Sequence, residues 1–102
     1  QPRRHRMTAY LVLDFTVLDL PAFMPYIEGV PAFIAKHGGR YIVRGVEPQV
    51  MEGDWSPERV VILEFLTAEN AQAFLADPDF QSLKAVRERS TISKLILVEG
   101  CI

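Results

Sequence analysis

The chain has little of what most reactive centres are built from. A single cysteine, Cys101, excludes an internal disulfide, and with only two histidines, His5 and His37, no Cys/His group stands at metal-ligand spacing. No phosphate-cradling glycine loop, dinucleotide fingerprint or Ser/His/Asp order is present, so no cofactor is expected. The longest apolar runs fall far short of the roughly 20 residues that cross a bilayer. No charged, apolar, small-residue leader precedes the domain, and the expectation is a cytoplasmic protein with no membrane partner. Excess charge is also missing: the 102 residues carry a formal net charge of -2, with both signs interspersed. The one dense positive run is Arg3, Arg4, His5 and Arg6, ahead of Met7. It reads as a mobile tail or an appended remnant over residues 1–6, with Met7 as the native start, and without it the domain is acidic and no nucleic-acid partner is expected.

What is present is an ordinary globular composition, 49% hydrophobic, long enough for one domain over residues 7–102. Residues 8–16 are rich in β-branched and aromatic types with apolar character on both alternating faces, as in a central strand. Asp19 offers an N-cap to a helix whose stripe is Phe23, Ile27, Val30 and Ile34, closed by His37, Gly38 and Gly39. Pro25, Gly29 and Pro31 fit that helix badly and predict a kink or break near Gly29. Residues 40–46 read as a second strand and 59–66 as a third, separated by an excursion with a short strand around 49–52 and a turn at Glu52-Gly53-Asp54. Thr67 caps a second helix with Ala71, Phe74 and Leu75 on its buried stripe. Asp77-Pro78-Asp79 interrupts it, a further helix runs over 80–89, and residues 91–99 close as a fourth strand. The order βα-ββ-αβ is the ferredoxin-like α+β pattern, an antiparallel sheet with its helices on one face.

Sorting the strands by alternation separates two faces. Leu11, Leu13, Phe15, Tyr41, Val43 and Leu63 belong to the face that meets the helices. The other mixes Val12, Ile42, Val60, Ile62, Ile96 and Val98 with Tyr10, Asp14, Arg40, Arg44, Glu64 and Lys94. An apolar patch of that extent is rarely left to water in a soluble monomer. A second copy of the sheet is the simplest cover, giving a homodimer whose paired sheets enclose a lumen. The alternative is that the charges pair across strands and keep the face soluble.

The candidate chemistry lies on that charged face. Arg40 and Arg44, four apart on one strand and so roughly 13 Å apart on one face, either bracket an anionic ligand or pair with separate carboxylates. Glu64 is the obvious partner, as an ion pair or as a proton carrier in an enclosed site. Tyr10 would donate a hydrogen bond into the lumen or simply pack, and Lys94 adds a further cation. His37 is the one histidine inside the domain and the natural proton-transfer group near neutral pH, yet its place before the paired glycines equally suits a cation at the negative end of a helix. Trp55 would wall a pocket or anchor the dimer partner.

Several segments together carry a resemblance: His-Gly-Gly-Arg-Tyr-Ile-Val-Arg-Gly at 37–45, Glu-Gly-Asp-Trp-Ser-Pro-Glu-Arg-Val-Val-Ile-Leu-Glu-Phe at 52–65, Asp-Pro-Asp-Phe-Gln at 77–81, Arg87, and Leu-Val-Glu-Gly at 97–100. Across residues 8–100 the chain resembles the uncharacterised DUF1330 family. It departs from that pattern with Phe at positions such as Phe23 and Phe80 where tyrosine is usual, and with Pro21, Pro25 and Pro31 in the first helix. The resemblance implies the dimeric α/β barrel superfamily, whose members include cofactor-free monooxygenases, lactone isomerases and dehydratase-like proteins beside others with no known catalysis. Fold alone does not choose among them.

Two functions follow. In the first, a small aromatic or anionic metabolite binds between sheet and helices or in the barrel lumen and undergoes cofactor-independent proton or oxygen chemistry. Arg40 and Arg44, with Tyr10, Trp55 and Lys94, would bind and orient it, and His37 or Glu64 would move protons. In the second, the chain is a non-enzymatic dimeric binding or accessory module whose charges fix sheet pairing.

Overall fold

A computed structural model describes residues 7–101 of the chain; the basic run Arg3 to Arg6 lies outside them. The elements are β1 (Ala9–Val17), α1 (Leu20–Lys36), β2 (Arg40–Val46), β3 (Arg59–Phe65), α2 (Ala68–Ala76), a 3₁₀ turn (Pro78–Phe80), α3 (Gln81–Ser90) and β4 (Thr91–Glu99). The strands form one antiparallel sheet in the order β2-β3-β1-β4, with the helices on one face. This is the ferredoxin-like arrangement that the alternating patterns predict.

Local chemistry explains most boundaries. The Asp19 carboxylate accepts from the Ala22 N–H at the start of α1, and the Thr67 hydroxyl accepts from the Asn70 N–H at the start of α2. At the end of α1, Gly38 takes φ +78°, Gly38 N–H bonds the Ala35 carbonyl and Gly39 N–H bonds the Ile34 carbonyl, the paired bonds of a Schellman stop. Gly39 has a further reason to lack a side chain, because a Cβ there would lie 2.4 Å from Cε2 of Phe65.

Four expectations need correction. Helix α1 does not break at Gly29 but runs unbroken through Pro25 and Pro31. The carbonyls that lose a partner are those of Pro21 and Ile27, both exposed, so water can replace the missing N–H groups. Gly29 is instead a contact point: a Cβ there would sit 2.8 Å from Leu83 Cδ1, which lets α1 pack closely on α3. Secondly, the buried stripe of α1 is Phe23, Tyr26, Val30 and Ile34, whereas Ile27 is exposed. Tyr26 is turned towards α3, its ring stacked on Phe23 and tilted against Phe80. Thirdly, residues 47–58 contain no strand, although the turn at 52–54 is present with Gly53 at φ +87°.

The fourth correction bears on the site. Strict alternation puts Arg40 and Arg44 on one face, but β2 carries irregularities between Tyr41 and Val43 and between Arg44 and Val46. Val43 therefore stands opposite Ile62 of the outer face, and Arg44 opposite Val61 on the helix side. An extra residue in a strand shifts every later side chain to the opposite face. Gly45, at φ +75°, absorbs the second irregularity.

Candidate functional site

The core divides into a filled part and an unfilled one. Phe65, Phe74 and Phe80 form a tilted aromatic cluster with essentially no solvent exposure, its closest rings 4.6 Å apart between Phe74 and Phe80. Beside it a cavity of about 690 Å³ opens between α1 and the sheet, within the size range of small-molecule sites. Its floor is Leu11, Leu13, Phe15, Val61 and Leu63 of the sheet, and its roof is Phe23, Tyr26, Val30 and Ile34 of α1. Polar atoms enter this apolar chamber at few places: Tyr26, Tyr41, Arg44, Glu58, Arg59 and Arg87.

Those polar groups differ in how they are held. The Arg44 guanidinium stacks 4.3 Å from the centroid of the Tyr41 ring, and Arg59 donates to the Gly45 carbonyl at 3.2 Å. Glu58 is the one carboxylate along the lining, exposed like both of these arginines. Burial lifts the Tyr41 phenol above the usual tyrosine range, opposed by Arg44, so it faces the cavity as a neutral hydrogen-bond donor. Arg87, on α3, is only 5% exposed. Its Nη1 donates to the Tyr26 hydroxyl at 3.3 Å, while among the described residues its Nε has no partner. Among the described residues, no ion pair includes it.

The residues that the sequence singles out fall mostly elsewhere. Arg44 reaches the cavity, brought there by the β2 irregularity. Arg40, Glu64 and Tyr10 meet on the outer face, where Arg40 Nε donates to Glu64 Oε1 at 2.7 Å and the Tyr10 hydroxyl donates to Glu64 Oε2 at 3.4 Å. Trp55 also reaches that face, its indole N–H donating to Asp14 Oδ2 at 2.7 Å. Lys94 lies opposite Asp14 across the β1–β4 ladder, exposed.

His37 does not line the cavity. It is the C-cap residue of α1, and its Nε2 lies 2.8 Å from Asp77 Oδ2, to which Lys36 Nζ also donates at 2.7 Å. Those contacts, with the Asp79 N–H on Oδ1, hold the Asp77 carboxyl far below the usual carboxylate range, the Lys36 bond contributing most. The cluster fastens the end of α1 to the junction of α2 and the 3₁₀ turn.

Arg87 and Tyr26 are the residues that periodicity alone misses, although a signal exists for Arg87. Phe80, Leu83, Arg87 and Ser90 are spaced three, four and three apart, so an arginine stands on the apolar stripe of its own helix. Among the described residues no group of three or more His, Cys, Asp or Glu could hold a metal ion, and no helix is long and apolar enough to cross a membrane.

The fold recurs in solved structures of low sequence identity. A protein of unknown function from Rhodopseudomonas palustris superposes with a TM-score of 0.78 at 14% identity, over 96% of this chain and 85% of that one. SnoaB, a cofactor-independent oxygenase from Streptomyces nogalater, gives 0.66 at 22% identity, over 92% of this chain and 93% of its own. A dimeric ferredoxin-like protein of unknown function from Thermobifida fusca gives 0.52 at 12% identity, over 98% and 97%. No curated protein matches the chain in sequence. The family model for the domain of unknown function DUF1330 matches residues 8–101, and the chain belongs to that family.

Proposed function

We propose that the protein binds a small, largely aromatic molecule in the cavity between α1 and the sheet, and that it does so as a homodimer joined through the outer sheet face. The observation that carries the binding reading is the unfilled chamber itself. The cleft of about 690 Å³ is walled by apolar side chains of the core, reaches the surface at the exposed Leu18, Leu20 and Ile27, and has the size of a small-molecule site. The few polar groups along its lining are the usual means of orienting a ligand. Neutral Tyr41 and the Tyr26 hydroxyl would donate to ligand oxygens, and Glu58 is placed to accept a proton. The reading extends to proton or oxygen chemistry without a cofactor, for which the fold shared with SnoaB is the support.

Dimer formation is supported by the outer face. Val43, Ile62, Val12 and Ile96 align in one row across the sheet. Ile42, Ile96 and Val98 are exposed at 44%, 56% and 43%, beside a Trp55 ring at 60%. A second reading, the non-enzymatic dimeric module, is favoured by the Arg40–Glu64 and Trp55–Asp14 bonds, which fix this face without touching the cavity.

Thermal denaturation with 2-naphthol and indole tests the binding reading. A binder at a hundredfold excess over its Kd stabilises the native state by about 2.7 kcal/mol. Leu13→Trp, which sets an indole on the chamber floor in the ligand's way, should weaken or abolish the shift, whereas Arg40→Ala should leave it intact. Absence of any shift at millimolar concentration with these probes and with 2-naphthoate would refute binding in this chamber. Sedimentation equilibrium at micromolar protein should return a dimer, and a compact monomer would overturn the assembly.

A further inference from the structure

We infer that the ligand of this cavity carries an anionic group, a carboxylate or its equivalent, that is bound by Arg87 and Tyr26. The inference rests on the binding reading above and adds the chemical class of the ligand. A guanidinium stays protonated at any pH the protein meets, so Arg87 cannot escape burial by losing its charge, as a lysine would. Burying such a charge costs several kcal/mol unless a counter-charge and hydrogen bonds compensate it. The outer-face arginine, Arg40, has such a carboxylate at 2.7 Å. Arg87 has one neutral phenol, its hydroxyl at 3.3 Å and its ring centroid at 5.7 Å, and among the described residues its Nε–H has no partner.

Partial compensations from the protein do not remove the deficit. Arg87 stands in the last turn of α3, where helix carbonyls carry partial negative charge. The Arg87 guanidinium is turned to Tyr26 on α1 instead, and the nearby Ser90 carbonyl is taken by the N–H groups of Leu18 and Asp19. The fork of the guanidinium matches a carboxylate, two parallel N–H groups to two oxygens. The Tyr26 oxygen accepts from Arg87, which leaves its own O–H free to donate to the same anion. A flat hydrophobic acid would set its body between the sheet floor and Phe23, with its carboxylate at the one cation that is buried along the lining.

A matched pair of probes separates this inference from the binding reading: 2-naphthoate, and 2-naphthalenemethanol, which keeps the rings and drops the charge. With the wild-type protein, isothermal titration should show the acid binding about 10- to 100-fold more tightly, the range for hydrogen bonds to charged groups. Arg87→Met should erase that preference while changing the alcohol's affinity by no more than about threefold, and Arg87→Lys should restore part of it. Acid and alcohol binding equally would overturn the anion inference and leave the cavity reading standing. Neither binding would overturn both.

A second measurement needs no variant. The Arg87 Nε–H resonance, located in a ¹⁵N-edited NMR spectrum, should move on adding 2-naphthoate and stay in place with the alcohol. A signal indifferent to the acid would overturn the inference even where the acid binds.

Discussion

The two faces of the sheet carry similar side chains and solve them differently. On the outer face Arg40 has met Glu64 and Asp14 has met the Trp55 indole, both within the chain, while Lys94 opposite Asp14 lies exposed to water. On the helix side Arg87 is more deeply buried than any of these and, among the described residues, has only the Tyr26 phenol. A charge pair at a sheet surface adjusts solubility and register, and its presence says little about chemistry. An unpaired cation inside an apolar chamber is different, because folding alone supplies no reason to keep it there. The contrast teaches that the state of pairing, rather than the number of charges, distinguishes a structural face from a candidate site.

The helix side is itself divided, and core truncations should expose the division with the largest effect. Phe80→Ala removes a ring enclosed by Phe74, Phe33 and Tyr26, and should cost about 3–5 kcal/mol in urea denaturation. Leu13→Ala removes a side chain bordered on one side by empty space, and should lie near the lower end of the leucine range, about 2 kcal/mol. Equal losses would mean that the chamber is as tightly packed as the aromatic cluster, and the distinction between the two regions would collapse.

Much of this architecture is legible in the sequence, and the failures have local causes. Strand β2 falls at the expected residues between Gly38-Gly39 and Pro48, and β4 falls at 91–99 because a run rich in Ile, Leu and Val ends at Gly100. The helix stops and caps are equally plain, since Asp19, Thr67 and the Gly38-Gly39 pair act through neighbouring backbone. What alternation could not carry was the register of β2. The irregularity between Tyr41 and Val43 moves Arg44 to the helix side, and the one glycine inside the strand, Gly45, marks only the second irregularity beyond it. Likewise His37 reads as a proton carrier only while its partner is unknown. Asp77 lies 40 residues away in sequence, and the two meet only once β2, β3 and α2, which lie between them, have folded.

That His37 cluster gives the next effect, a dependence on pH. The Asp77 carboxyl is depressed in the folded state by Lys36 first and by His37 and the Asp79 N–H after it. A depressed carboxylate contributes stability above its unfolded pKa, about 3.9, and loses it as pH falls through the folded value. The stability gap between wild type and Asp77→Asn, followed by urea denaturation, should therefore be widest from pH 5 to 7 by this argument and should narrow progressively below about pH 4. A gap that did not change with pH would show that the carboxylate's charge is irrelevant and that only its hydrogen-bond geometry matters.

The smallest effect belongs to the outer face, where it is most informative about assembly. Arg40 has 72% of its side chain exposed and Glu64 23%, so in a lone chain their pair is an exposed ion pair. Its coupling by a double-mutant cycle should then be about 0.2–1 kcal/mol and should weaken with added salt. A second sheet laid over Glu64 and Arg40 would remove water from the pair, raise the coupling and make it depend on protein concentration, because the dimer dissociates on dilution. Measured at high and low protein concentration, the cycle distinguishes a face built for water from one built for a partner. A coupling that stays below about 1 kcal/mol throughout would leave the outer apolar row without the cover proposed for it.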